Sequence, residues 1–313
     1  MSLSCNPGGL FLVAALDQRR QERFRLNVCA VFFVLWSLIS AGGFVDTGWA
    51  SSEWTQLESG LALRHWPDGA HHPELTVLRI DPEFFRFVLY SASAERGADR
   101  TVRQWVEDKN LVAAINASMY WEDRETSTGL MTNFGHVNNG RVHPEFGAFF
   151  VANPRRAQLP PVDILDRSLE QQWRKRVAQY ATIIQNYRLL DAKGENVWQA
   201  SRQEHSSAVV AEDSQGHILF ILQHEPVSVH ALGSRLENLS LDLGTAMFVE
   251  GGVEASLAVR CPELKTFWNG RYDSRLLPAP VAARPVPNII GITRRRSDPG
   301  VPGIETEPEF FGK

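Results

Sequence analysis

From Leu61 onward, short apolar runs separated by polar, Pro or Gly breaks dominate the chain. "LALRHW" (61–66), "ELTVLRID" (74–81) and "FRFVLY" (85–90) are rich in β-branched and aromatic residues and bounded by Pro, Asp and Gly, which predicts strands. "LVAAIN" (111–116) reads as a buried strand, and the same pattern recurs at 147–152, 180–185, 206–211, 217–222, 246–250, 255–259 and in "NIIGIT" near the end. Helical spacing appears less often. "TVRQWVEDKN" (101–110) opens on a Thr cap and spaces Val102, Trp105 and Val106 along one face. Helices are also predicted over 168–177 and 228–239. The expected fold class is α+β: a mixed or antiparallel β-sheet core with a few flanking helices, forming one domain over residues 51–296.

The first 50 residues follow a different pattern. A basic stretch, "RRQERFR" (19–25), precedes the charge-free run 26–45, and the small residues Gly48 and Ala50 come before two serines. This order predicts a secretory signal peptide cleaved near Ala50 or, given the length of the run, a membrane anchor that tethers an exported domain. The domain is then periplasmic or extracellular. Beyond residue 296, the charged, Pro- and Gly-rich composition predicts a flexible tail over 297–313.

Composition narrows the function classes. A net charge of -4 over 313 residues gives no basic footprint for nucleic acid. Of three cysteines, Cys5 and Cys29 fall in the targeting region, leaving Cys261, which reads as a buried small hydrophobe. No Cys/His spacing suggests structural zinc, so neither a metal nor a cofactor is expected. "WEDRE" (121–125) reads as a solvated loop and His71-His72 as a turn.

The candidate chemistry lies where apolar runs end on polar residues. "AMFVEGGVEAS" (246–256) stops at Glu250, passes Gly251 and Gly252 and reaches Glu254. By itself this could be a plain turn with solvated acids. A three-residue Gly251–Val253 hairpin loop would set Glu250 opposite Glu254, with Cβ atoms roughly 4.5–5.5 Å apart, so that one carboxyl keeps its proton near neutral pH. Asn116 ends another run, where it either binds the following turn or meets a ligand; Tyr120 and Trp121 either pack or stack.

The ordered set of such segments resembles the phosphodiester glycosidase domain. "LVAAINASMYWEDRETSTGLMTNFGHVNNG" is similar to its N-terminal half, "ATIIQNYRLL" to its strand ending in Gln, and "SVHALGSRLENLSLDLGTAMFVEGG" to its helix followed by a strand closing on an acid and two glycines. The likeness runs from about Leu61 to Thr293. Glu250 stands where the family usually has Asp, Glu254 where it has Ser, Asn186 and Tyr187 where it has Gly-Pro, and His205 near its Arg. The resemblance implies hydrolysis of a sugar-1-phosphodiester in a glycan. It assigns Glu250 and Glu254 to acid/base catalysis, and Asn116, Tyr120, Gln185, His205, Gly251 and Gly252 to substrate binding. Arg188 reads as an exposed strand-flank charge. The alternative is a non-catalytic carbohydrate-binding or envelope-assembly protein on the same fold. A concave polar site is expected where residues 116–121 meet 250–254.

Overall fold

The computed structural model describes residues 54–67, 74–95, 97, 100–169, 171–271 and 282–295. All fall within the second of two compact units, Ser52–Lys313. The signal or anchor reading of residues 1–50, the tail reading of 297–313 and the His71-His72 turn lie outside the described residues.

Antiparallel strands build the domain. The larger sheet holds β1 (Thr55–Glu58), β2 (Leu61–Trp66), β3 (Leu75–Ile80), β6 (Met131–Asn133), β7 (His136–Asn139), β8 (Ala148–Pro154), β9 (Val162–Asp166), β10 (Tyr180–Leu190), β11 (His205–Asp213), β12 (Ile218–Val227) and β13 (Leu243–Gly251). Its order is β1-β2-β3-β12-β11-β13-β10-β6-β7, with β8 pairing both β10 and β9. The smaller sheet has the order β15-β14-β5-β16-β4, from β4 (Phe85–Ser91), β5 (Ala113–Asn116), β14 (Ser256–Arg260), β15 (Lys265–Asn269) and β16 (Asn288–Arg294). Every described ladder is antiparallel, which resolves the mixed-or-antiparallel expectation.

The main core forms between the two sheets. Leu78, Ala208, Val210, Phe220, Leu222, Met247 and Val249 of the larger sheet share one buried cluster with Ile115, Leu257 and Ile290 of the smaller. Alternate residues of the same strands face outward yet remain buried, because helices cover both outer faces. Helix α3 (Val229–Asn238) sets Val229, Leu232 and Leu236 against Val209, Ala211, Leu219 and Ile221. Helix α1 (Val102–Asp108) covers the smaller sheet with Trp105 and Val106 packed on Ala114, Ala258 and Ile289. Burial on both faces is the reason these strands read as continuous apolar runs instead of alternating ones.

Local chemistry agrees with this arrangement. Thr101 and Gln104 close a capping box on α1, which stabilises a helix start by about 1 kcal/mol. The indole N–H of fully buried Trp105 donates to the Val286 carbonyl at 3.0 Å. The helix predicted over 228–239 forms as α3, with Ser228 Oγ accepting the Ala231 N–H as its cap. The helix predicted over 168–177 forms only at α2 (Trp173–Val177), where Trp173 stacks on Phe149. β1, β6, β7, β9 and β15 are additional to the predicted strands, and β10 continues past Gln185 to Leu190. Cys261 is buried in the main core.

Candidate active site at the end of β13

The site is organised by an irregularity in β13. Ala208 pairs with Glu250, but Val209 pairs with Phe248, so Val249 is an extra residue on the β13 side. Up to that point β13 alternates, with Met247 and Val249 in the inter-sheet core and Ala246 and Phe248 under α3. Strict alternation would send Glu250 out with Phe248. The bulge instead sets it across from Ala208, an inter-sheet residue, and re-aims its side chain into the rim between the sheets.

There Glu250 is buried, with 8% of its surface exposed. Its Oε1 accepts the Gly251 N–H at 2.9 Å, while its buried Oε2 has no hydrogen-bond partner among the described residues. Burial pushes this carboxyl up to about 8, partly offset by the Gly251 N–H and reinforced by the Glu254 charge. Neutral Glu250 is therefore a proton donor at neutral pH.

The expected Glu250–Glu254 hairpin does not form. β13 belongs to the larger sheet and β14 to the smaller, and a 3-10 turn, Gly252–Glu254, carries the chain between them. The two acids are not cross-strand partners, and burial is the first cause of the raised Glu250, with Glu254 a lesser one. Gly252 enters the turn at φ +74, a conformation that side chains disfavour. Gly251 leaves no opening for a ligand over its Cα: a Cβ there would lie 2.9 Å from His205 Cε1 and 3.1 Å from Phe248. The His205 imidazole occupies that position, with Nδ1 2.8 Å from the Ser206 carbonyl and 3.2 Å from Ser207 Oγ.

Asn116 and Gln185 are spent on backbone. Asn116 donates to the Glu254 carbonyl at 2.9 Å and accepts the Ser256 N–H at 2.7 Å, so it fastens β5 to the crossover. Residues 116–121 and 250–254 do meet, at this contact. Gln185 accepts from Leu130 N at 3.3 Å and His143 N at 2.8 Å, and donates to the His143 and Phe146 carbonyls, both at 2.9 Å. Tyr120 forms a bridge with Ser127, and Arg124 lies 5.8 Å from its ring; Trp121 is exposed. Arg188 is not an exposed flank charge: it is half-buried and binds the buried Asp166 carboxylate at 2.5 Å, because β8 pairs beside β10 and β9 beside β8, which brings Asp166 level with the end of β10.

Other polar groups on the rim were not singled out as ligands by the sequence. Asn186 lies two residues beyond Ile184 on the same face of β10, so it faces the inter-sheet space from the strand next to β13. It donates to the Ala117 carbonyl at 2.9 Å, and its buried Oδ1 has no partner among the described residues; neither has the buried Oγ of Ser118. Unpartnered buried acceptors are rare in folded proteins and mark places where a water or ligand completes the bonding. Further along the same face of the larger sheet, Thr76 Oγ1 lies 2.9 Å from His65 Nδ1 and 2.7 Å from His224 Nε2, with Trp268 edge-on to both rings. The signal in sequence was a set of polar residues, "QN" and "QH", inside otherwise apolar strands. Among the described residues, no three His, Cys, Asp or Glu side chains gather as a metal site would require.

The fold and this geometry can be set beside known proteins. The structure is similar to a hypothetical protein from Synechocystis at 14% identity and a TM-score of 0.51, over 78% of this chain and 64% of that one. A likeness to the zebrafish N-acetylglucosamine-1-phosphodiester alpha-N-acetylglucosaminidase catalytic domain, auto-inhibited by its pro-peptide, has 11% identity and a TM-score of 0.47, over 75% and 89% of the two chains. No curated protein matches. Residues 109–293 match the family described as phosphodiester glycosidase, and since that is more than half of the sequence, the chain belongs to this family.

Proposed function

We propose that the protein is an exported hydrolase that cleaves a sugar-1-phosphodiester, or a related glycosidic linkage, in envelope or extracellular glycan. The observation that carries this reading is Glu250, a neutral, buried carboxylic acid at a strand end with one oxygen unpartnered. Glycosidic cleavage needs such an acid to protonate the departing oxygen. In the proposed reaction the bond between the anomeric carbon and the phosphate oxygen breaks as Glu250 passes its proton to that oxygen. Water attacks the anomeric carbon and gives its proton to Glu254, and the products are a free sugar and a phosphomonoester.

Asn186 and Ser118, whose oxygens lack partners among the described residues, are assigned to the sugar hydroxyls, and Tyr120 to a ring face. His205 faces the diester charge. Asn116, Gln185, Gly251 and Gly252 act by holding the backbone of the crossover and of the loop beside it. Export rests on the basic flank 19–25 before the apolar run 26–45. A fusion of residues 1–50 to a reporter active only outside the cytoplasm should give signal; a stable but silent fusion would remove that part of the reading.

The hydrolase reading is tested by Glu250→Gln in the full chain against a panel of sugar-1-phosphodiesters. Turnover should fall by roughly 100-fold or more, the usual contribution of a general acid, with an unchanged circular dichroism spectrum. Unchanged turnover would take Glu250 out of the chemistry, and no turnover by the unaltered chain on any member of the panel would leave the carbohydrate-binding alternative, which the covering of Gly251 by His205 favours.

A further inference from the structure

A large concavity of the described surface lies away from Glu250. It is a cleft of about 1350 Å³ bounded by the start of β4, the turn from β8 to β9, the start of β10 and the β11–β12 turn, and it shares no lining residue with the Glu250 rim. Sites that enclose one small molecule measure about 300–1,000 Å³, so this volume suits several linked units.

Three guanidinium groups reach the cleft: Arg86, Arg155 and Arg295. Among the described residues none of them has an ion-pair partner. Arg295 is fixed by backbone instead, with Nε donating to the Pro82 carbonyl at 2.8 Å and the Phe85 carbonyl at 3.3 Å. Burial, and then the nearby Arg86 charge, disfavour its protonated form. Two like charges held together, with no carboxylate in ion-pair contact among the described residues, are relieved by an anion, and guanidinium forks suit phosphate and carboxylate.

The acids of the cleft oppose this less than their number suggests. Asp81 is turned toward the backbone, accepting the Glu83 N–H at 2.8 Å, and Glu83 sits exposed on the rim, where solvent screens its charge. Glu212 accepts the Ile164 N–H at 3.1 Å, and burial, with Asp163 second, raises it to about 7, so it carries only part of a charge at neutral pH. At the mouth, Phe134 is 69% exposed at the tip of the β6–β7 turn with φ 45, a costly conformation for an aromatic residue that keeps its ring in water.

We infer that this cleft is a second carbohydrate site that takes an anionic oligosaccharide, with sugar rings against Phe134 and the Pro160-Pro161 wall and phosphate or carboxylate groups on Arg86, Arg155 and Arg295. It is independent of hydrolysis at Glu250. The test is titration calorimetry of the full chain with three probes: a hexagalacturonate, a mannose-phosphate oligomer and neutral maltohexaose. At least one anionic probe should bind with one-to-one stoichiometry and weaken as salt is added, while maltohexaose should not bind; the two anionic probes separate a carboxylate from a phosphate preference. Arg86→Ser/Arg155→Ser should weaken binding at least tenfold, and Phe134→Ser several-fold. Should the double serine variant fail to fold, Arg86→Lys/Arg155→Lys replaces it and should still weaken binding, because the bidentate fork is lost. Glu250→Gln should bind as the unaltered chain does, which separates a failure here from a failure of the hydrolase reading. The inference is overturned if neither anionic probe binds, if maltohexaose binds equally well, or if the arginine variants bind unchanged.

Discussion

Glu250 faces Ala208 across the β13–β11 ladder only because Val249 is bulged out of register between Ala208 and Val209. In a regular, unbulged ladder Val249 would pair with Ala208 and the carboxyl would join Phe248 under α3, where the apolar cluster of Leu232 and Leu236 offers it nothing to act on. The bulge therefore carries an energetic cost, since it aims an ionisable group into the space between two sheets.

That cost is visible in the pH dependence of stability. Glu250 is raised in the folded protein to about 8 from an ordinary 4.5. Below about pH 4.5 it is protonated folded or unfolded and imposes no penalty. Between 4.5 and 8 only the unfolded chain gives up the proton, so stability falls as pH rises, by roughly 5 kcal/mol at most, and levels off above 8. Urea unfolding at pH 5 and pH 8 should show the loss. Glu250→Gln should remove most of it, leaving the smaller loss that Glu212, raised to about 7, contributes in the same direction, offset in part by the gain from His224 below pH 6.5. Equal pH slopes in the two proteins would contradict a buried, neutral Glu250.

His224 works in the opposite sense. Burial, then His65 and Arg271, lower it to about 4 from 6.5. Between pH 6.5 and 4 the unfolded chain takes up a proton that the folded one refuses, so stability is lost as pH falls through that window, by roughly 3 kcal/mol at most. Its Nε2 sits 2.7 Å from Thr76 Oγ1, and His224→Gln should keep an amide near that hydroxyl while abolishing the titration. The midpoint of unfolding at pH 4.5 should then move toward its value at pH 7. A variant as acid-sensitive as the parent would rule the explanation out.

Gln185 separates a structural from a ligand role. Gln185→Leu would leave the His143 N–H and the His143 and Phe146 carbonyls without their partner, a cost of about 2–4 kcal/mol for buried groups. Thermal unfolding should drop accordingly. A stable variant with only a raised KM would return Gln185 to the substrate-binding set.

What could be read in the sequence follows from which forces are local. β3, β5, β11, β12 and β16 were legible because both of their faces are covered, giving apolar runs that need no knowledge of the partner strand. β7, "HVNN", and β15, "KTFWN", lie at sheet edges with half-exposed residues and carry no such run. β10 was cut short at Gln185 because the polar Gln185 and Asn186 look like a strand end, yet both are buried and bonded to chain 42 and 69 residues away. The crossover at 250–254 was misread as a hairpin for a related reason. Its geometry is set by β11 on one side and β5 on the other, and nothing between Glu250 and Glu254 records that β13 and β14 enter different sheets. A carboxyl closing an apolar strand before two glycines is, by contrast, a local feature, and Glu250 does stand at the end of β13.

Glu254 supplies the remaining test, because it touches Glu250 only through charge. Its carboxylate is one cause of the raised Glu250, after burial. If Glu250 is the general acid, kcat/KM on a sugar-1-phosphodiester should decline above about pH 8, where Glu250 loses its proton. Glu254→Gln removes the neighbouring negative charge, so Glu250 gives up its proton more readily and the alkaline limb should move to lower pH. Burial remains the larger cause, so the limb should shift without collapsing to the ordinary carboxylate range. The same substitution removes the base assigned to the attacking water, so the plateau rate should also fall, by roughly 100-fold for a general base. A lower plateau with an unmoved alkaline limb would mean that Glu254 serves the water but lies too far from Glu250 to influence it. An unmoved limb with an unchanged plateau would take Glu254 out of the mechanism altogether, leaving Glu250 as an acid without a partner on the crossover turn.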